Sequence, residues 1–358
     1  MADLISSWAN AGAVLTVHRW AMVIGGLLLA SVVVLVLCLQ FGATAVDVRT
    51  VGTAITHMLR GGQTDSASLD TSEIIMVQIR FPRVMMSFLV GGSLAAVGVT
   101  LQALLRNPLA DPYVLGVSSG SALGVSLAIL FGIGSTFLLL PVLPLFGFVG
   151  GLLALLLMYQ LAKSKGRLPI HSLLLAGVIL NAILTSVIMF ITSVMDPNRS
   201  AGLIAWLMGS LSPQGYSALG GFLVYVVLVL AVLMHKAQLL NVLTLGEETA
   251  RSLGVETERV KKQLFVLTAL LTGAIVSVSG MIGFVGMVVP HAVRLLIGSD
   301  HRLLLPASAL VGGMFLALAD TVARTLLAPA EIPVGIVTAL AGGPFFLYLL
   351  LWRKDRML

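Results

Sequence analysis

Residues 21–41 read AMVIGGLLLASVVVLVLCLQF, a run without a single charge. Wound as a helix at 1.5 Å per residue, it is long enough to cross a hydrocarbon core of about 30 Å. His18, Arg19 and Trp20 precede it and Ala43-Thr44-Ala45 resembles a cleavage site, so a secretory signal is the competing reading. The run exceeds the 7–15 residues of a signal's apolar region, and we expect an uncleaved first span.

The pattern recurs along the chain. Comparable runs lie at 82–105, 113–132, 137–162, 170–194, 214–234, 263–281, 303–325 and 334–352, and a shorter one at 283–297 is rich in glycine and interrupted by Pro290. None alternates in polarity as a barrel strand would. Of the 358 residues, 58% are hydrophobic and 10% charged, with mean hydropathy +1.06. Soluble domains carry about 25% charged residues, so lipid must be the solvent. The expected fold is all-α: a polytopic membrane protein with about ten transmembrane helices, forming one domain over 1–358.

A net charge of +6 can signal nucleic acid, but here Lys and Arg are scattered singly between apolar runs. They report topology instead. Ten spans with the N-terminus in the cytoplasm place fifteen of the 21 Lys and Arg inside and six outside. Both termini are then cytoplasmic. A single cysteine, Cys38, offers neither a disulfide framework nor a thiolate metal site.

Two apolar pieces are too short to cross alone. Ala201–Leu211 (AGLIAWLMGSL) follows Asp196-Pro197 and has the length of a re-entrant or interfacial helix. Gly280, Gly283 and Gly286 lead to Pro290, where a break is expected. Such irregular backbone either walls a pathway or reflects glycine-mediated helix packing. Gly91 and Gly98 echo Gly273 and Gly280 at the same spacing, which hints at an inverted repeat.

On this topology the only long charged cytoplasmic stretch is the loop 242–262. Thr244 followed three residues later by Glu247 matches a capping box, and Gly254 stands where a C′ glycine ends a helix. Ala250 and Leu253 share a face at i, i+3. The loop reads as a compact amphipathic knob, either a solvated surface helix or a handle for a cytoplasmic motor. No Gly-Lys dipeptide occurs, so this chain has no P-loop of its own.

Arg80-Phe-Pro-Arg83, Gly91, Gly92, Gly98, Gln102, Arg106-Asn-Pro-Leu-Ala-Asp-Pro112 and Leu115-Gly-Val-Ser-Ser-Gly120 together resemble the FecCD permease family. Further matches are Leu245-Gly-Glu-Glu-Thr-Ala-Arg-Ser-Leu-Gly254, Gly283-Phe-Val-Gly-Met-Val-Val-Pro-His-Ala-Val-Arg294 and Ala319-Asp-Thr-Val-Ala-Arg324, within a resemblance covering about 75–352. The family comprises membrane subunits of type II ABC importers for ferric siderophores, haem and cobalamin. The resemblance implies a homodimer in the bacterial inner membrane, two ABC ATPase subunits below and a periplasmic or lipoprotein substrate-binding protein above. It places ATPase coupling on Glu247, Glu248, Ala250, Arg251, Leu253 and Gly254. It places binding-protein docking on Arg80, Arg83 and Arg324, and gating on Asn107, Leu109, Ile170 and His171.

Each role has a plainer counterpart. Arg80 and Arg83 at a span end can simply snorkel, and Arg324 has Asp320 one turn earlier. His171 and His291 lack a second ligand at helical spacing, so local hydrogen bonding is the expectation and no metal or other cofactor is implied. An ion-coupled secondary transporter would need more ionisable groups within the spans than Asp320. A membrane enzyme would need clustered His, Asp or Glu at one depth, and no catalytic residue is assigned.

Overall fold

The computed structural model describes residues 15–42, 71–133, 136–137, 140–163, 169–211 and 215–354. Ala43-Thr44-Ala45 and the topological charges Arg49, Arg60, Lys165, Arg167 and Arg356 lie outside them.

Every apolar run becomes a helix. The first is α1 (Val17–Gln40). A short helix (Thr71–Ile74) passes through a π-helical turn (Ile75–Arg80) into α2 (Phe81–Leu104). Then come α3 (Val117–Leu130), α4 (Val142–Ala162), α5 (Ile170–Val194), α6 (Pro197–Leu207) and α7 (Tyr216–His235). Two short helices, α8 (Ala237–Thr244) and α9 (Glu247–Ser252), precede α10 (Thr257–Ser279), α11 (Val285–Ile297), α12 (His301–Thr325) and α13 (Val334–Lys354). The one extended pairing among the described residues joins Thr136–Phe137 to Leu140–Pro141.

Among the described residues seven helices are long and apolar enough to span a membrane, and α3, α11 and the start of α13 are shorter apolar helices. The third run is thus shorter than its hydropathy suggests. Asp111 accepts a hydrogen bond from Tyr113 N and starts a 3₁₀ turn (Pro112–Leu115), and Gly116 at φ +75° resets the chain before α3.

The helix α2 is the axis of the bundle. Its apolar window is 83% buried, against 22% for α1 and α5. Close approach makes this possible, because a methyl on Gly98 would overlap the carbonyl oxygen of Gly286 in α11. Gly91 likewise lies on Gly312 of α12. Gly280, by contrast, ends α10 with φ +65°, so the matched glycine spacings of the two halves have different causes.

The break between α10 and α11 is made by Gly280 and Phe284 (φ +69°), and Pro290 lies inside α11. Proline offers no N–H to the carbonyl four residues earlier. That carbonyl, on Gly286, instead accepts from Gln102 Nε2 at 3.4 Å, and Met287 O accepts from the same nitrogen at 3.2 Å. A side chain from α2 therefore repairs the ladder, and the helix continues. As its length implies, α6 stays short, with Asp196 accepting from Asn198 N at its start.

Adding a methyl at Gly98 should push α2 from α11, and Gly98→Ala should cost about 1–3 kcal/mol. The same change at Gly202, which has nothing within 4 Å of the added carbon, should be neutral or stabilising through helix propensity. Thermal unfolding in detergent distinguishes the two.

Candidate functional site

The sequence-marked residues gather at the two ends of the bundle. Arg19 at the start of α1 donates to Ile297 O, and Trp20 donates to Arg302 O. The opposite end of α1, some 36 Å away by helical rise, meets the arginines. The first span is thereby built into the bundle at both ends.

At the far end, Arg80 donates to Leu39 O and Gln40 O at 3.0 and 3.3 Å, and Arg324 donates to Cys38 O at 2.9 Å. These are terminal carbonyls of α1, which lack intrahelical partners and favour a cation. Arg83 lies 3.0 Å from both Asp320 and Glu331, and Arg324 Nε lies 3.3 Å from Asp320 Oδ2. Asp320 is fully buried, and Arg80, Arg83 and Arg324 are 4%, 9% and 6% exposed. Plain snorkelling does not describe them, because each is held by a carbonyl or carboxylate of a neighbouring helix. The three arginines form an internal cluster whose outward-facing member is Glu331, its side chain 53% exposed.

At the near end, α9 forms the knob, with a different start from the one expected. Thr244 is the last residue of α8 and its hydroxyl donates to Asn241 O, while Gly246 precedes α9 without a side-chain cap. No capping box forms, because the amphipathic segment before it stays helical through Thr244. The Glu247 carboxylate instead lies 3.1 Å from Lys261 and 3.6 Å from Arg251. Glu258 lies 2.7 Å from the same Lys261, so α9 is braced onto α10 by an ion network. Gly254 at φ +80° closes the helix as expected, with Val255 N donating to Ala250 O. Ala250 is buried while Leu253 and Leu245 are 62% and 63% exposed, so Ala250 and Leu253 do not share one packed face.

The gate candidates flank this knob. Asn107 Oδ1 accepts from Leu109 N at 2.9 Å and shapes the loop after α2. Ile170 and His171 open α5, with Ile170 packed on the core and His171 exposed. Their neighbours Arg106 and Pro169 line one cleft of about 620 Å³ with Leu245, Glu247 and Glu248. Gate loop, first turn of α5 and knob thus share a surface.

Between the ends, a cavity of about 560 Å³ is lined by Ser119, Asn181, Thr185 and Thr192 among apolar residues. Asn181, Thr185 and Thr192 fall on one face of α5, and Ser119 donates to Asn181. Sequence reading missed this polar stripe, although the i, i+4, i+11 spacing was available. It also gave no partner to Gln102 or Glu331, whose partners are distant in the chain, nor to Lys261, which joins Glu247 to Glu258. Among the described residues no three His, Cys, Asp or Glu side chains gather as a metal site would require.

The profile of the FecCD transport family matches residues 27–352. The chain belongs to the FecCD transport family. It is a permease subunit of the ABC-importer class rather than an enzyme, and a multi-pass membrane protein. FecCD relatives include the cobalamin import system permease protein BtuC of Halobacterium salinarum, 45% identical over 81% of this chain and 76% of the relative. The hemin transport system permease protein HmuU of Yersinia pestis is 40% identical over 94% of this chain and 97% of its own length. A solved inward-facing metal-chelate type ABC transporter superposes with TM-score 0.77 at 32% identity, covering 93% of this chain and 99% of that one.

Asp320→Asn should cost about 3–5 kcal/mol, since it strands Arg83 and Arg324 in a buried site. Glu331→Gln, at the exposed edge, should cost less than about 1 kcal/mol in the same unfolding assay. A second expectation concerns Asp300, which caps α12. Hydrogen bonds from Arg302 lower its carboxyl to about 2, below the unfolded value of about 3.9. A depressed carboxylate pKa adds stability that is complete above about pH 4 and lost as pH falls toward about 2. The difference in melting temperature between wild type and Asp300→Asn should shrink across that window.

Proposed function

We propose that two copies of this chain form the membrane-spanning half of an ATP-driven importer that carries a metal chelate across the bacterial inner membrane. The knob carries this reading. A helix pinned by Lys261, Arg251 and Glu258, yet exposing Leu245 and Leu253 to solvent, is stiff enough to transmit force and apolar enough to be gripped. The coupling surface comprises Glu247, Glu248, Ala250, Arg251, Leu253 and Gly254 within the loop 242–262. Glu247 and Arg251 brace the helix, Ala250 seats it and Leu253 meets the ATPase. The distribution of Lys and Arg supports a cytoplasmic position for this end and for both termini.

ATP binding by two partner subunits would draw the knobs together and move the adjoining gate loop, which carries Asn107 and Leu109, and the turn at Ile170 and His171. At the opposite end a loaded substrate-binding protein would cap the cluster of Arg80, Arg83 and Arg324, with Glu331 at its edge. The polar face of α5 would line the passage between the copies, since hydroxyl and amide groups at membrane depth favour a wet cavity over lipid. Its lining has no formal charge, which suits a bulky chelate that must pass without being held. The cobalamin and hemin relatives support a cobalt or iron complex as the cargo, and an iron chelate is our choice between them. Ion-coupled transport is less well supported, because Asp320 is held by Arg83 and Arg324 and is not free to shuttle a proton.

Glu247→Ala and Leu253→Asp should each reduce chelate uptake at least about tenfold while leaving the chain folded in the membrane, because only the force-bearing contact is lost. Radiolabelled iron-chelate uptake, with and without the partner ATPase gene, is the measurement. Persistence of uptake without the ATPase, or its collapse with an uncoupler while ATP is maintained, would overturn the reading.

A further inference from the structure

Beside the knob lies a second cavity, of about 390 Å³, that transport as described does not use. Arg106 from the loop after α2, Arg294 from α11 and His301 from α12 line it, together with Asn107 and Thr244. Neither arginine forms an ion pair with any described residue. Arg294 donates to the neutral Gln102 Oε1 at 2.9 Å. Of the acidic groups nearest in sequence, Asp111 accepts from Tyr113 N, and Asp300 is occupied by Arg302 at 2.6 Å and by Asn241 Nδ2 at 2.9 Å. Arg106 also borders the cleft that holds Glu247, Glu248 and Glu258, but the lining of this cavity itself contains two arginines and no carboxylate, an arrangement that attracts an anion.

The histidine refines the choice of anion. Because Asn241 turns its NH₂ toward the Asp300 carboxylate, its Oδ1 is an acceptor, and it lies 2.7 Å from His301 Nδ1. The proton of the neutral ring must then sit on Nδ1. Nε2 is left as a bare acceptor, without a hydrogen-bond partner, on a side chain only 3% exposed. A fitting ligand offers anionic oxygens to Arg106 and Arg294 and a hydroxyl proton to Nε2.

We propose that this cavity binds a phosphate-class oxyanion that retains one P–OH, either hydrogenphosphate or the headgroup of a phosphomonoester lipid. Sulfate, which has no O–H near neutral pH, meets only the two cations. A bound phosphate bridges the loop bearing Asn107 and Leu109 to α11 and α12, tying the gate loop to the rest of the bundle. The site itself does not depend on the proposed transport function; only its effect on gating does.

The test uses the full-length chain in lipid-free detergent at neutral pH, titrated calorimetrically with sodium phosphate and with sodium sulfate. Phosphate should bind at least about tenfold more tightly than sulfate, and Arg106→Gln should weaken it by about tenfold. His301→Phe should reduce phosphate to the affinity of sulfate and leave sulfate unchanged. Should that variant not fold, Arg106→Gln suffices, because Arg106 is exposed and holds no other residue in place. Nanodiscs of phosphatidylcholine with or without 10% phosphatidic acid identify the source. Loss of the phosphate signal only with phosphatidic acid assigns a lipid headgroup, and an unchanged signal assigns the free ion. Equal affinity for sulfate and phosphate, no saturable binding in either setting, or full binding by Arg106→Gln overturns the proposal.

Discussion

A backbone carbonyl or amide left unpaired at membrane depth costs several kcal/mol, and every irregularity in this bundle is organised around that cost. Where α1 ends, Arg80 and Arg324 supply donors to its last carbonyls. Where Pro290 removes a donor from α11, Gln102 replaces it from α2. Between α10 and α11, Ile282 N donates to the Tyr113 hydroxyl and Ser210 N donates to Ser279 O. The broken segments survive because side chains and loops from other helices complete them.

The same economy governs charge. Buried ions are found in compensated groups, as with Asp320 between Arg83 and Arg324, and Lys261 between Glu247 and Glu258. Charges near the ends of the bundle are less fully matched. Glu331 keeps one side open at one end, and Arg106 and Arg294 face a cavity at the other. In the proposed assembly the subunit would meet its partners at those two ends, which would give incomplete neutralisation there a physical use.

Much of the bundle is legible in the chain because lipid tolerates so few residue types. All ten apolar runs became helices, and the glycine-rich stretch proved to be a broken segment. What resisted reading involved partners remote in sequence. Arg324 and Asp320 are one turn apart and were readable, but the Arg83–Asp320 pair spans 237 positions. Pro290 looked like a helix breaker because its substitute donor, Gln102, lies on another helix. Thr244 matched a capping box by spacing alone, while the amphipathic turn before it kept it inside α8. The knob itself was visible as a charged island between apolar runs, but its stiffness, which depends on Lys261, was not.

The contacts of α2 also bear on mechanics. Where Gly98 rests on Gly286 and Gly91 on Gly312, main chain meets main chain with no cushion of flexible side chains between. Helices joined in this way cannot slide without collision, so α2, α11 and α12 must travel as one block. Any rearrangement falls to elements packed through longer side chains, foremost the sparsely covered α5. The bundle is thus divided into a stiff frame and a movable wall by the placement of a few residues that have no side chain at all.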